Sequence, residues 1–175
     1  YQEQKDVLDF YQGITPDFID ATFSSNHDQP RLLNDLKQDP AKYKQALAIL
    51  MTFPGAPYLY YGEEIGMLGL KPDEQIREPF LWDAKEKDSK RARWIEPKYS
   101  TDATVTPLAQ QRVDGSSYFN HYKKVIALRQ SNPALAIGSL ESVKQTYPKS
   151  VMAFIRLSAD QEVLVIHHLG KEGLE

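Results

Sequence analysis

Residues 26–31 bring together an amide, an imidazole, a carboxylate and a guanidinium: Asn26, His27, Asp28 and Arg31. An adjacent imidazole and carboxylate can hold sugar hydroxyls, and the carboxylate can also stabilise a developing cation. The same residue types cap helices and line surface loops, because Asn and Asp accept hydrogen bonds from free backbone N–H groups. Glu63 and Glu64 form a second polar group. On an extended strand their side chains would point to opposite faces and could not flank one bond, an objection that a turn after Gly62 would lift. Arg77, Phe80 and Trp82 add a cation and two aromatic faces. These suit hydroxyl binding and ring stacking, or pinning of a loop. His167 and His168 resemble a metal pair, but on a strand they diverge and no third ligand lies nearby, so a β-domain surface is the expected setting.

The elements that must position these groups read as follows. Val7, Leu8, Phe10 and Tyr11 among charges predict an amphipathic helix over 3–12 that stops at Gly13. The apolar run 18–23 ends in the Asn26–Asp28 cluster, as a buried strand would that delivers side chains to a cleft. Asp39-Pro40 is an N-cap followed by a first-turn proline. Tyr43, Ala46, Leu47, Leu50 and Met51 then form one helical face that ends at Pro54-Gly55. The aromatic run 57–61 predicts a second buried strand, with Tyr60 and Tyr61 in the core. Helix, strand, helix, strand is the order of a parallel α/β sheet or barrel.

Residues 62–116 hold few periodic apolar positions and include Pro72, Pro79, Pro97 and Pro107. Long loops of this kind are functional or mobile, and loops after barrel strands build active sites. A helix is expected over 116–131, closed by Asn132-Pro133. From about 134 the period becomes two, with strands expected at 140–147, 151–157 and 162–168.

The chain has 175 residues, a net charge of −3, 41% hydrophobic residues and no cysteine. Its mild acidity argues against a nucleic-acid footprint, which needs a basic patch, and no apolar run reaches the ~18 residues of a membrane span. Disulfide and thiolate chemistry are excluded. The chain begins at Tyr1, so a signal region would lie upstream and localisation, secreted or cytoplasmic, is left open.

Asn26-His27-Asp28 with Arg31 resembles the last signature segment of the α-amylase family, glycoside hydrolase family 13. Gly55-Ala56-Pro57-Tyr58-Leu59-Tyr60-Tyr61-Gly62-Glu63-Glu64 resembles that family's final barrel strand, and Ile76-Arg77-Glu78-Pro79-Phe80-Leu81-Trp82 resembles the loop after it. Met67 through Trp82 is similar to bacterial members that lie between α-amylases and oligo-1,6-glucosidases.

The resemblance implies an α/β fold: the C-terminal part of a (β/α)8 TIM barrel at 1–133, then the truncated start of an antiparallel β domain at 134–175. It implies a retaining glycosidase acting on α-glucans or malto-oligosaccharides, α-1,4 linkages favoured. Asp28 would be the third, transition-state-stabilising carboxylate. His27 and Arg77 would bind substrate, and Asn26, Arg31 and Glu64 would support them. The nucleophile and the acid/base are not found in this chain. The expectation is that the N-terminal part of the barrel is missing, and that the chain alone is inactive and poorly stable. Calcium binds many family members, mostly through ligands upstream, so no cofactor is assigned. Within the family, oligo-1,6-glucosidase, neopullulanase and glucosyltransferase activities stay open. A non-catalytic carbohydrate-binding or partner-binding homologue is the alternative of another class.

Overall fold

Asp39 accepts hydrogen bonds from the backbone N–H groups of Ala41 (3.0 Å) and Lys42 (3.1 Å), so a helix starts at Pro40 as capping chemistry requires. In the computed structural model, which describes residues 2–170, the elements are α1 (Gln2–Ile14), α2 (Leu32–Asp35), α3 (Pro40–Thr52), a 3-10 turn (Glu63–Ile65), α4 (Asp73–Ile76), α5 (Leu108–Gln111), α6 (Tyr118–Ser131) and α7 (Pro133–Ile137). Strands β1 (Ser139–Ser142), β2 (Val151–Leu157) and β3 (Glu162–His168) follow. Helix α1 runs through Gly13 and ends before Pro16. A glycine costs a helix only about 1 kcal/mol, whereas a proline removes a donor and clashes.

The chain resolves into two compact units. One comprises the segment up to Thr22, Ile49–Pro57 and everything from Ala127 onward. Its core is Leu8, Leu135, Leu140, Phe154 and Val165, with Phe18, Phe53, Met152 and Val163 packed against them. The antiparallel sheet has order β1-β2-β3, with Leu140 opposite Arg156 and Phe154 opposite Val165. Arg156 is fully buried and donates to the carbonyls of Thr52 (2.6 Å), Gly138 (2.7 Å) and Ser139 (3.2 Å). Burial pushes its pKa down to about 10. A period of two was expected from about 134 with a first strand at 140–147; α7 comes first, because Pro133 at the first helical position is preset for a turn of helix, and the strand that follows is only Ser139–Ser142.

His167 departs from the expected surface setting. It is buried, its Nε2 lies 2.9 Å from Thr52 Oγ1, and burial lowers its pKa. Alternation along β3 turns this ring inward, beside Phe154 at 6.2 Å.

The second unit comprises Phe23–Ala48 and Tyr58–Ile126. Tyr43, Leu47, Ile65, Met67, Ile76 and Leu81 are its most deeply buried apolar side chains. The two expected strands meet here in one parallel bridge, Phe23 to Tyr58. Phe23, Tyr58, Leu59 and Tyr61 are exposed rather than buried. A parallel strand hides its side chains only when neighbours and covering helices take both faces. Among the described residues each of these two runs pairs through that bridge alone.

Candidate active site

Asn26 Oδ1 accepts the backbone N–H of Asp28 at 2.8 Å, an Asx turn directly after the bridge residue Phe23. The turn lifts the next two side chains outward: His27 and Asp28 are 66% and 61% exposed. His27 Nε2 lies 3.2 Å from Asp28 Oδ2. On the other side, Arg77 Nη2 donates to Asp28 Oδ1 at 3.1 Å, and Arg77 Nε donates to the His27 carbonyl at 2.9 Å. Arg77 is itself held by Asp73 (2.9 Å), four residues earlier. Lys71 pairs with Asp73, and this hydrogen bond is the main reason the Asp73 carboxyl sits below its usual range. The result is a carboxylate with one oxygen toward an imidazole and the other toward a guanidinium, open to a ligand. Such a trio can grip adjacent hydroxyls, the carboxylate accepting and the two nitrogen bases donating.

Arg31 lies in the interior. Its backbone N–H donates to the Gly69 carbonyl (2.9 Å) and its Nη1 to the Tyr61 carbonyl (2.6 Å). The guanidinium lies 4.5 Å from the Tyr60 ring centre and 4.8 Å from that of Tyr61. These two rings, themselves in edge contact at 4.8 Å, therefore pack against a cation rather than fill an apolar core, and Tyr61 stays 40% exposed. Glu63 faces the same guanidinium at 3.6 Å. The Tyr43 hydroxyl reaches both the Glu63 carbonyl (2.5 Å) and its Oε2 (2.8 Å).

Gly62 makes this arrangement possible. Its φ of 86° suits glycine, and a Cβ there would sit 2.4 Å from Met67 Sδ. The turn separates the two acids: Glu63 goes inward, while Glu64 Oε2 accepts the Gly62 N–H at 2.8 Å. Neither is placed as half of a catalytic pair.

Burial raises the Glu63 pKa above its ordinary value of 4.5, outweighing Arg31 and Tyr43, which both lower it. The folded chain thus holds this proton more tightly than the unfolded one. The associated stability is present below the unfolded pKa and is lost as pH rises through the folded pKa. Relative to Glu63→Gln, the wild-type melting temperature should fall as pH is raised from below 4.5 toward neutrality. Melting curves across that range check this, and a pH-independent difference would contradict it.

Glu78, next to Arg77, anchors the loop that follows. Fully buried, it accepts the backbone N–H groups of Lys98 (2.6 Å), Tyr99 (3.0 and 3.1 Å) and Ser100 (2.6 Å). Ser100 Oγ then donates to the Leu68 carbonyl at 2.7 Å and accepts the Leu68 N–H at 2.9 Å. Further along, Asp88 Oδ2 accepts from Trp82 N (2.9 Å), Asp83 N (3.2 Å) and Arg91 Nε (3.0 Å). Trp82 lies against Phe80, ring centres 4.5 Å apart. Buried carboxylates therefore order a segment with little apolar periodicity. Sequence reasoning missed Asp73, Glu78 and Asp88. The four-residue spacing of Asp73 and Arg77 was the one available signal.

Among the described residues no group of three or more His, Cys, Asp or Glu side chains is placed to hold a metal ion. Nor is any helix long and apolar enough to cross a membrane.

Comparison with known proteins adds an independent line. The family model described as "Alpha amylase, catalytic domain" matches residues 2–138. Alpha-amylase 3 of Dictyoglomus thermophilum is 40% identical over 155 residues, covering 89% of this chain and 31% of that protein. The alpha-amylase SusG of Bacteroides thetaiotaomicron is 36% identical, covering 98% of this chain and 26% of its own length. The crystal structure of an alpha-amylase from H. orenii superposes with a TM-score of 0.84 at 35% identity, over 96% of this chain and 34% of that one. The chain thus spans between a quarter and about a third of the length of these relatives. The fold is accordingly part of a TIM-barrel catalytic domain followed by a small antiparallel sheet. With the matched catalytic-domain model and the Asn26–Asp28 site on the same stretch of sequence, the chain belongs to the α-amylase family of glycoside hydrolases.

Proposed function

We propose that the protein containing this chain cleaves α-glucans with retention of configuration, favouring α-1,4 linkages, and that Asp28 is the carboxylate that stabilises the transition state. The observation that carries this reading is the exposed trio of His27, Asp28 and Arg77. Retaining cleavage passes through an oxocarbenium-like state, and hydrogen bonds to ring hydroxyls that tighten in that state supply several kcal/mol. A carboxylate whose partners are an imidazole and a guanidinium is aimed without being buried. His27 donates to a neighbouring hydroxyl. Arg77 orients Asp28 and lines the cleft. Asn26 shapes the turn, and Arg31, with Glu64 at the adjoining turn, supports the floor. The nucleophile and acid/base come from segments other than this one.

We assign residues 1–133 to the barrel and 134–175 to the β domain. The family model's end at 138 and the first strand at Ser139 support that division; residues 171–175 lie outside the described part.

The test is a parallel assay of the full-length protein on maltoheptaose and isomaltose, with product anomers followed by NMR. The expected result is faster cleavage of maltoheptaose with α-anomers formed first. Preferential cleavage of isomaltose would make it an α-1,6-glucosidase, and cleavage of neither would favour a non-catalytic carbohydrate binder.

A further inference from the structure

Arg77 is the group through which the loop after Gly62 reaches Asp28, so what fixes Arg77 decides how that carboxylate is aimed. The element that carries it cannot fix it alone. Helix α4 is a single turn, Asp73–Ile76, with Arg77 as its C-terminal cap. One turn of helix has no stability of its own, and its last carbonyls find no partner inside the helix. Two hydroxyls from an earlier segment hold the backbone instead. Tyr60 Oη donates to the Ile76 carbonyl at 3.3 Å, and Tyr61 Oη donates to the Glu78 carbonyl at 2.9 Å. Ile76 and Glu78 are themselves fully buried, so pinned backbone brackets Arg77 on both sides.

The two tyrosines can do this because they are held themselves. Adjacent side chains on an extended strand would diverge. Here the turn at 61–62 brings both rings into edge contact, their centres 4.8 Å apart. The buried Arg31 guanidinium lies against both, and its Nη1 donates to the Tyr61 carbonyl. Burial pushes the Tyr60 pKa up to about 12, so its hydroxyl keeps its proton and stays a donor. Arg31 lies three residues after Asp28, and its backbone N–H is tied to the Gly69 carbonyl. The contacts therefore close a ring. It runs from Asp28 to Arg31 along the chain, from Arg31 to the two tyrosine rings, from their hydroxyls to residues 76 and 78, and from Arg77 back to Asp28.

We propose that Tyr60 and Tyr61 are positioning residues: by holding the two carbonyls that bracket Arg77, they set where its guanidinium meets Asp28. They act through Arg77 and not on the sugar. This deepens the proposed function and rests on it, since an effect on rate requires that Asp28 act on the substrate. Displacing a reacting group by about 1 Å can cost about 10²-fold in rate, so a small shift of Arg77 is enough to be seen. Phenylalanine at either position keeps the ring against Arg31 and removes the donor alone.

The experiment uses the full-length protein and the variants Tyr60→Phe, Tyr61→Phe and the double, each made with Arg77 intact and with Arg77→Ala. Values of kcat and KM are measured on maltoheptaose and isomaltose, and a crystal structure of the double variant is solved. With Arg77 present, the double variant should lower kcat about ten-fold, most of it from Tyr61→Phe, whose hydrogen bond is the shorter. In the Arg77→Ala background the same substitutions should change kcat by less than about two-fold, because the group they position is gone. The crystal should show Arg77 Nη2 out of hydrogen-bond reach of Asp28 Oδ1. Equal losses in both backgrounds would make the tyrosines merely structural. That result, an unchanged kcat, or an Arg77–Asp28 contact intact in the crystal would overturn the proposal and leave the hydrolase reading standing. A wild-type protein that cuts neither sugar would defeat the hydrolase reading, and the placement of Arg77 by the two hydroxyls would then be decided by the crystal alone.

Discussion

Replacing Asp28 with Asn in the full-length protein should lower kcat on maltoheptaose by about 10³-fold or more, the equivalent of ~4 kcal/mol. The argument rests on what the substitution leaves in place. Asn26, not Asp28, supplies the side chain that closes the turn, so the backbone should keep its course. The Asp28 side chain is 61% exposed, so its ion pairs with His27 and Arg77 contribute little to folding. The melting temperature should therefore move by no more than about 2 °C while catalysis collapses. The amide keeps the shape of the carboxylate and loses its charge, so the loss reports charge stabilisation in the transition state rather than a missing contact. His27→Ala and Arg77→Ala should fall between wild type and Asp28→Asn, since each removes one partner of the carboxylate. Near-normal kcat with a lowered melting temperature would return Asp28 to the simpler role of a capping residue.

The second large effect concerns stability. Glu78→Ala removes the acceptor of three backbone N–H groups, those of Lys98, Tyr99 and Ser100, two of them at 2.6 Å. An unpaired buried donor costs about 1–3 kcal/mol; Ser100 is buried and the other two bonds are part-buried, so a total of about 3–5 kcal/mol is expected, or a fall in melting temperature of roughly 10 °C. The loop it clamps should become cleavable by trypsin at Lys87, Lys90 and Arg93, all exposed in the intact fold. Thermal melts and mass spectrometry of a brief digest check both parts. A variant that melts with wild type and resists trypsin there would show that the Asp88–Arg91–Asp102 network suffices to hold the loop. Because Arg77 immediately precedes Glu78, the variant should also weaken substrate binding, seen as a higher KM.

Legibility in the sequence followed the range of the interactions. The Asp39 cap, the α3 face, and strands β2 and β3 depend on neighbours within a few residues, and their patterns were readable. Patterning failed where a distant partner decides the outcome. Arg156 and His167 are buried polar groups on strands whose alternation looks ordinary; carbonyls at Thr52 and Gly138 and the Thr52 hydroxyl receive them. Tyr60 and Tyr61 look like core residues until Arg31 is seen against both rings. The Asn26–Asp28 segment stood out by residue type alone, but its tie to Arg77 spans about fifty positions, and no local rule predicts it. Glu78 and Asp88 stayed hidden for a related reason: carboxylates in a charged loop resemble solvated surface, and only burial against a run of N–H groups distinguishes them.

Asp28 as a transition-state stabiliser is tested most directly with a cationic inhibitor shaped like the distorted sugar. Its inhibition constant would be measured against the full-length wild type, Asp28→Asn, His27→Ala and Arg77→Ala. If the trio acts on the transition state, log Ki tracks log(KM/kcat) across the four proteins with a slope near one, because a true mimic loses the same interactions as the reacting sugar. A Ki that stays constant while kcat/KM falls would mean that these side chains do not touch the charged sugar, and the account of the site would be wrong.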